Sequence, residues 1–327
     1  MELSKNFVPL PFRFDAAKLA EEALALPDSA WLPHPGGLKG NSAVPLISVG
    51  GGQNDFFHGR MGITSHLKSS PYHQQALASF NEILGRSRLM RLEPGAEVSA
   101  HIDVDYHWLT RVRIHVPIVT DPDVIFHCAE DQVHMKEGDC WIFDSWKVHK
   151  VVNDSPVTRI HLVVDTSGSP RFWKTVREME TYGHQTNLTK LSDKIKFVPY
   201  EDGKRVKIAT ENFNVTSVMS PGEMDALVKE LISDFDGNPK NDSVLEAKYK
   251  RFLRDFGMDW RQAWLAYGYS QEGWPHYQSL IHKLFGRLLE RNNDAVTLKS
   301  NGFSVNLVII KRMLMPAFDA EIIKELV

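Results

Sequence analysis

The sequence predicts a mainly β fold of the sandwich or jelly-roll type, with helices before it and a helical region after it. Three observations support this prediction. Between about residues 85 and 166, short runs of β-branched and aromatic residues alternate with turn-forming Gly, Pro, Asn and Asp. These runs follow one another at even spacing, as in antiparallel sandwiches. After about residue 205, apolar residues recur at the helical period instead.

The N-terminal part contains two predicted helices and a long irregular segment between them. "FDAAKLAEEALAL", residues 14–26, and "YHQQALASFNEILGR", residues 72–86, have amphipathic helical spacing. Residues 27–60 are rich in Gly, Pro and Asn and predict irregular structure. Within them "GGGQNDFFHGR", residues 50–60, is a candidate lid over a substrate, with a mobile surface loop as the alternative. The polar candidates for substrate contact are Gln53, Asn54 and Arg60.

The central strands are predicted from short apolar runs bounded by turns at "EPGAE", "KEGD" and "NDSP". In chain order the runs are "RLMRL", "RVRIHVPIV", "VIFHC", "QVHM", "CWIFD", "HKVV" and "TRIHLVVD". We expect one domain over residues 1–175, with its core at about 85–168, and a helical region over residues 205–327.

Capping signals predict the first two helices of the C-terminal region. Ser220 and Glu223 form a capping box around Pro221. Ser243 and Glu246 repeat it, with Gly257 as the expected end of that helix. In "PHYQSLIHKLFGRLLER" one face of a third helix is apolar. Its residues are Tyr277, Leu280, Ile281, Leu284, Phe285 and Leu288.

Composition limits the classes of protein that fit. The chain has 327 residues, 43% of them hydrophobic, and a net charge of -3, so no overall attraction to nucleic acid is expected. No run of about 18 apolar residues occurs and the start lacks a signal-peptide layout, so we expect a soluble cytoplasmic protein without membrane association. Cys128 and Cys140 are expected to be reduced, buried thiols.

The stretch "HIDVDYHWLTRVRIHVPI", residues 101–118, places charged side chains where strands are otherwise predicted. Because side chains two apart on a strand share a face, His101 and Asp103 direct an imidazole and a carboxylate to one point. A third donor is expected from another strand. If "VHKVVNDSPVTRIHLVVD" is a hairpin turning near Asp154, His149 lies opposite Arg159 on that same face.

Two histidines and one carboxylate on one face are the ligand set of non-haem Fe(II) oxygenases. Arginine is the residue suited to grip the distal carboxylate of 2-oxoglutarate, and Arg159 fits this role. Alternation puts Arg111, Arg113 and His115 on one strand face. Arg113 and His115 are expected to contact 2-oxoglutarate or a substrate carboxylate, and strand parity does not decide between them.

Each of these candidate site residues can also be explained by a structural role without a metal. The His101 and Asp103 pair fits a surface strand, His149 fits a core histidine bonded to a carbonyl, and Arg159 fits half of a cross-strand ion pair. Their order and spacing together favour the metal site. Other histidines on strands are interpreted as packing or surface residues: His127, His134 and His161.

Three blocks resemble the aspartyl/asparaginyl β-hydroxylase family of 2-oxoglutarate oxygenases, and within it the bacterial proline hydroxylases. They are "LEPGAEVSAHID", "RVRIHVPI" and "FHCAEDQVHMKEGDCWIFDSWKVHKVVNDSPVTRIHLVVD", within residues 85–168. The resemblance implies a double-stranded β-helix (jelly roll, cupin-like). It further implies Fe(II) on His101, Asp103 and His149, 2-oxoglutarate on Arg159, and an Arg-x-His at Arg113 and His115. Because some protein-modifying members lack the carboxylate of Asp103, the chain is more similar to the small-molecule branch.

The resemblance implies a hydroxylase that acts on an unactivated C–H of a free amino acid, proline-like, or a related small metabolite, and releases succinate and CO2. Its cofactors would be Fe(II), 2-oxoglutarate and O2, with ascorbate as reductant in vitro. A peptide or protein hydroxylase of the same chemistry and a non-catalytic metal-dependent binding protein are the alternatives. Tyr106, His107 and Trp108 are candidate substrate contacts, with core packing as their alternative, and a homodimer through the helical region is a further expectation.

Overall fold

The computed structural model describes residues 2–34, 36–182, 192–214, 216–289 and 296–319. Its chain forms two compact units. The first unit comprises Met1–Asp103 and Thr110–Asn214, and the second comprises Val104–Leu109 and Val215–Val327. The sequence predicts one domain over residues 1–175 and a helical region over 205–327, and it does not separate residues 104–109 from the β region.

The first unit is built on a large, almost wholly antiparallel sheet of nine strands. Its main path runs β1-β11-β8-β13-β6-β4-β3, and β5 and β15 pair with β4 and β6. The strands are β1 (Phe7–Pro9), β3 (Leu32–Pro33), β4 (Asn41–Val49), β5 (Met61–Ile63), β6 (Ile83–Leu92), β8 (Val112–Val119), β11 (Trp141–Phe143), β13 (Arg159–Thr166) and β15 (Ala209–Thr210).

A smaller sheet of four antiparallel strands has the order β10-β9-β12-β7. Its members are β7 (Glu97–His101), β9 (Val124–Cys128), β10 (Asp131–Val133) and β12 (His149–Asn153). From β6 to β13 the chain passes repeatedly between the two sheets. The predicted mainly β, double-stranded β-helix architecture is confirmed. Apart from both sheets, β2 (Phe12–Phe14) and β14 (Lys196–Val198) form a parallel pair.

The large sheet buries both of its faces. On one face Val112, Ile114, Val116 and Ile118 of β8 enter a core that also contains buried residues of four helices, as strand alternation predicts. The helices of this unit are α1 (Ala16–Leu24), α2 (Ser65–Lys68), α3 (Pro71–Ser79) and α4 (Pro170–Glu180). On the other face the two sheets meet through aromatic rings, with Phe126 of β9 and Phe143 of β11 4.7 Å apart between centroids.

Two expectations for the N-terminal part were wrong. Residues 41–49, predicted to be irregular, form β4, whose antiparallel pairing with β6 buries most of its side chains. The predicted helix over 72–86 ends at Ser79, and residues 83–86 belong to β6. Asn81, at a φ of 53°, separates the two elements, because a left-handed residue interrupts a right-handed helix.

The predicted hairpin between His149 and Arg159 was also wrong. β12 pairs with β7 and β9, whereas β13 pairs with β6 and β8 in the other sheet. The intervening residues carry the chain across from one sheet to the other. The Asn153 side-chain amide stabilises this crossing by donating to the carbonyls of Leu92, Glu93 and Val157 over 3.1, 3.1 and 2.9 Å.

The second unit is helical. Its helices are α5 (Pro221–Phe235), α6 (Ser243–Tyr267), α7 (Trp274–Leu289), α8 (Val305–Val308) and α9 (Met315–Ala317). A π-helical turn spans Ile309–Leu314, and Tyr106–Leu109 forms a 3-10 turn in the same unit. Among the described residues, no helix is both long enough and apolar enough to span a membrane.

The capping predictions for these helices were partly right. Ser220 caps α5 by accepting from the Glu223 amide over 3.2 Å. For α6 the cap is Asp242 rather than Ser243, because its carboxylate accepts from the Val244 and Leu245 amides. That helix continues through Gly257 and ends before Gly268, whose φ is 50°. On α7, Tyr277, Leu284 and Leu288 are buried, whereas Phe285 is exposed.

Both cysteines are buried free thiols, as expected.

Candidate active site

Three predicted ligands come together at one end of the smaller sheet. His101 ends β7, Asp103 follows two residues later, and His149 begins β12 and is paired with His101 across the sheet. One ligand atom from each residue lies within 4.8 Å of the other two. The two imidazole centroids are 4.2 Å apart. Asp103 and His149 are buried, and His101 is partly exposed, so this cluster opens toward solvent on the His101 side.

Backbone carbonyls fix the tautomers of both histidines. His101 Nδ1 lies 2.7 Å from the Ser99 carbonyl oxygen, and His149 Nδ1 lies 3.0 Å from that of Lys147. A carbonyl only accepts, so each Nδ1 carries the proton and each neutral ring keeps its lone pair on Nε2. Such an outer hydrogen bond orients metal-binding imidazoles.

The charge states also suit a cation. The pKa of His149 falls to about 4, mainly because burial disfavours the imidazolium, so the ring is neutral at pH 7. Burial alone would raise the pKa of the Asp103 carboxyl, but Arg113 and the two histidines outweigh it and lower this pKa. Arg113 Nη1 lies 3.6 Å from Asp103 Oδ2.

Two buried atoms of this cluster make no hydrogen bond within the described part of the chain. They are Asp103 Oδ2 and His149 Nε2. Leaving buried polar atoms unsatisfied is costly, and a cation held by both would satisfy them. Two neutral imidazoles and one carboxylate are the donors of a facial metal site, so the residues fit an Fe(II) ion.

A second cluster of buried polar groups surrounds Arg159 on β13. Arg159 Nη2 donates to His161 Nδ1 over 2.8 Å, which leaves the proton of the neutral His161 ring on Nε2. His115 Nδ1 lies 3.4 Å from the same His161 nitrogen. Burial, together with the Arg159 charge, holds the pKa of both histidines well below the usual value.

Among the described residues, Arg159 Nε and His161 Nε2 are buried donors without an acceptor. A bound carboxylate would satisfy such donors, and arginine is the side chain that pairs with carboxylates in two-point fashion. The Arg159 cluster therefore fits one carboxylate of 2-oxoglutarate. His115, which the sequence also predicted for this role, lies beside it.

A chain of buried ion pairs leads away from the metal cluster across the large sheet. Asp165 Oδ1 lies 3.6 Å from Arg113 Nε, and its Oδ2 lies 3.6 Å from Arg86 Nε. Arg86 and Arg88, two apart on β6, both donate to Asp55 Oδ1, over 2.8 and 2.6 Å. Asp55 belongs to residues 50–60, so this chain of charges connects that segment to Asp103 through Arg113.

Comparison with known proteins finds a similarity over the middle of the chain. Residues 56–168 match the family model described as Aspartyl/Asparaginyl beta-hydroxylase. The resemblance to the β-hydroxylase family is confirmed over this segment. The matched residues begin before the first quoted block and end just after the last one, and they contain His101, Asp103, His149 and Arg159.

A curated protein similar to this chain is L-proline cis-3-hydroxylase 1 from Streptomyces sp. It is 28% identical over 133 residues, which cover 37% of this chain and 45% of the relative. The chain thus spans less than half the length of that relative.

Two solved structures are also similar to this chain. One is a 2OG-Fe(II) oxygenase family oxidoreductase from Burkholderia pseudomallei, at 11% identity and a TM-score of 0.35, covering 47% of this chain and 78% of that one. The other is a prolyl-4-hydroxylase from Pseudomonas putida, at 15% identity and a TM-score of 0.34, covering 50% and 92%.

Some predicted substrate residues have other contacts. Asn54 donates to the Val49 carbonyl over 2.9 Å, and Arg60 donates to Asn212 over 3.1 Å. Gln53 is exposed. Tyr106, His107 and Trp108 belong to the second unit, where His107 and Trp108 are buried. Arg111 makes a two-point ion pair with Glu211, at 2.7 and 3.0 Å.

Five residues of these clusters were not predicted from the sequence to be site residues. His161 was interpreted as a packing or surface residue, although its spacing of two from Arg159 places both on one strand face. The same spacing in "RSR" could have indicated Arg86 and Arg88, and Asp165 extends the series on β13. Asp55 carries no comparable signal, because it lies in an irregular segment.

Proposed function

We propose that this protein is an Fe(II)- and 2-oxoglutarate-dependent hydroxylase acting on a free amino acid, proline-like, or a related small acid. The observation that carries the proposal is the convergence of two Nε2 lone pairs and a buried carboxylate on one point. The buried donors of Arg159 and His161 support a co-substrate carboxylate nearby.

In this proposal His101, Asp103 and His149 hold the iron. Bound Fe(II), with 2-oxoglutarate and O2, supplies the oxidising chemistry that converts C–H to C–OH while 2-oxoglutarate becomes succinate and CO2. The protein keeps His149 neutral, holds Asp103 ionised, and orients both histidine rings through backbone carbonyls. Phe126 and Phe143, packed against the His149 ring, exclude water from that side.

Arg159 would grip the distal carboxylate of 2-oxoglutarate. Its guanidinium is buried and held by His161, so little side-chain freedom is lost when the carboxylate binds. His115 shares this pocket. Arg113 lies against Asp103 and Asp165, so we assign it to holding the Asp103 carboxylate in position rather than to a direct contact with 2-oxoglutarate.

The name of the Streptomyces relative supports an amino acid as substrate, and the description of the matched family supports aspartyl or asparaginyl side chains of a peptide as a second candidate. A homodimer, a cytoplasmic location and the substrate contacts of Gln53, Asn54, Arg60, Tyr106, His107 and Trp108 stay predictions.

The test is succinate formation from 2-oxoglutarate with Fe(II) and ascorbate, in the presence of a panel of free amino acids including proline and of short peptides. Stimulation by one amino acid in the wild type, absent in Asp103→Ala, is the expected result. Stimulation by peptides alone would favour the second candidate. Iron binding without any succinate would contradict the proposal and favour a metal-dependent binding protein.

A further inference from the structure

The arginine pair on β6 is an anion site whose present occupant comes from the protein itself. Arg86 and Arg88 are both buried and point to the same side of the strand. Both donate to one oxygen, Asp55 Oδ1, and Arg86 also donates to the Asp55 carbonyl over 3.0 Å. The Phe57 ring covers the Arg86 guanidinium at 3.9 Å. Two guanidiniums converging on one carboxylate oxygen make a strong carboxylate site.

The two sides of this contact differ in how firmly the fold holds them. Arg86 and Arg88 belong to a central strand that is paired on both sides, by β4 and β13. Asp55 belongs to a segment without strand pairing, and its side chain is 31% exposed. The carboxylate is therefore the component that can leave, whereas the arginines stay in place.

Glycines with positive φ flank the tip of this segment. Gly50 and Gly51 have φ of 63° and 70°, and Gly59 has a φ of 135°. A Cβ at Gly51 would lie 2.8 Å from the Ile63 carbonyl oxygen, so the base of the segment is tightly packed and requires glycine. Asp55 lies between these glycines, on a segment whose base accepts no larger residue at Gly51 without strain.

The arginine pair is connected to the proposed active site. The pKa of His34 is lowered by burial and by the positive charges of Arg88, His101 and Arg86, and Asp55 acts against this shift. Through Asp165 and Arg113, the same arginines are also linked to Asp103.

We propose that Arg86 and Arg88 bind the carboxylate of the substrate, and that Asp55 occupies this site until the substrate displaces it. The inference rests on the proposed function and specifies its substrate class: a small acid that presents a carboxylate to β6. Asp55 then sets the affinity of the enzyme for that acid. Acids that bind too weakly to displace Asp55 are not accepted.

The charge balance is consistent with this exchange. Arg86, Arg88 and Arg113 face three carboxylates, those of Asp55, Asp103 and Asp165. A substrate carboxylate that replaces the Asp55 carboxylate keeps the arginines paired, and so avoids the cost of unpaired buried charges.

The test is calorimetric titration of the full chain, loaded with Mn(II) and 2-oxoglutarate without O2, so that binding is measured and no turnover occurs. The ligands are a panel of free amino acids including L-proline, the matching uncharged amides, and dipeptides ending in the same residues. The variants are Asp55→Asn, Asp55→Gly and Arg88→Gln. Asp28→Asn is the matched control, because exposed Asp28 faces Arg91 of the same strand at 3.8 Å, outside this cluster.

We expect Asp55→Asn and Asp55→Gly to bind an acid about tenfold more tightly than the wild type, because removal of the competitor makes more of the protein binding-competent. Affinity for the amides should not change, Arg88→Gln should weaken only the acids, and Asp28→Asn should match the wild type. Tighter binding of the dipeptides alone would assign the site to a peptide carboxylate.

Three outcomes would overturn the inference. Both Asp55 variants bind acids no more tightly than the wild type, the variants change the binding of acids and amides equally, or no variant binds an acid. Succinate formation is measured separately with the same panel. If succinate forms while acid binding shows one of these three outcomes, the inference has failed and the proposed function stands. If acid binding responds to Asp55 as expected but no succinate forms, the proposed function has failed and the anion site remains.

Discussion

Arg159 and His161 form a hydrogen-bonded pair on one strand, with Arg159 Nη2 donating to His161 Nδ1 over 2.8 Å in a fully buried setting. Two residues apart on β13, they share the face that looks toward the smaller sheet. The pair fixes the plane of the guanidinium before any ligand binds. His161 therefore acts as a positioning residue for Arg159.

Replacing His161 by Phe should weaken 2-oxoglutarate binding at least tenfold, because a hydrogen bond to a charged group contributes roughly 1.5–3 kcal/mol. The measurement is the KM for 2-oxoglutarate and kcat for succinate formation. A rise in KM with kcat nearly unchanged indicates positioning of the co-substrate. His127→Gln, at a partly exposed strand position, is the control, and equal effects of both variants would argue against this role.

Asp103→Asn should lower metal affinity by more than 100-fold, since even the loss of an outer partner of a ligand typically costs about 10–100-fold. Calorimetric titration with Mn(II) gives the affinity directly. Asp105→Asn is the matched control, because Asp105 lies two residues later and pairs with Lys311 at 3.6 Å in the second unit. If both variants bound metal equally well, the assignment of Asp103 as a ligand would be wrong.

Asp165→Asn should lower the free energy of unfolding by about 3–5 kcal/mol, because Arg86 and Arg113 would lose a shared buried counter-charge. Urea unfolding of the metal-free protein measures this change. Asp154→Asn removes the same charge from an exposed turn and should leave the stability within about 0.5 kcal/mol of the wild type. A loss below about 1 kcal/mol for Asp165→Asn would indicate that solvent reaches this network.

The buried histidines His115 and His161 should make the metal-free protein less stable in acid. Their folded pKa values lie well below 6.5, so on acidification below pH 6.5 only the unfolded chain takes up these protons. The stabilisation that depends on these neutral histidines is therefore complete above pH 6.5. The free energy of unfolding falls as the pH decreases below this value, by up to about 1.4 kcal/mol per pH unit for each histidine. Urea unfolding between pH 7.5 and 5 measures the slope, and His161→Phe should make it shallower. An unchanged slope in that variant would contradict the prediction.

The sequence predicted the local parts of the candidate site better than the long-range parts. The spacing of two predicts that His101 and Asp103 are neighbours, and their side chains lie 3.9 Å apart although Asp103 follows the end of β7. The pairing partners of β12 and β13 depend on strands far away in the sequence, so a hairpin drawn from the adjacent turn at Asp154 was wrong. His149 and Arg159 nevertheless both face the space between the sheets, because the two strands lie in sheets that pack against each other.

The other features that the sequence did not predict have similar physical causes. β4 contains Pro45 and follows a glycine-rich stretch, and only its pairing with β6 makes it a strand. Asp55 has no periodic context at all, so its contact with Arg86 and Arg88 follows only from the tertiary fold. Gly257 is a common helix terminator, but the apolar period of α6 continues beyond it to buried Trp260 and Ala263.

The crossing at Asn153 gives residues 149–166 an unusual concentration of roles. This continuous stretch contributes one proposed metal ligand to the smaller sheet, and then supplies to the larger sheet the proposed co-substrate arginine, its orienting histidine and the aspartate between Arg86 and Arg113. If this stretch, residues 149–166, were transplanted into a related protein, these components would be transferred together. Its exchange between relatives would alter metal binding, co-substrate binding and the arginine network in one step.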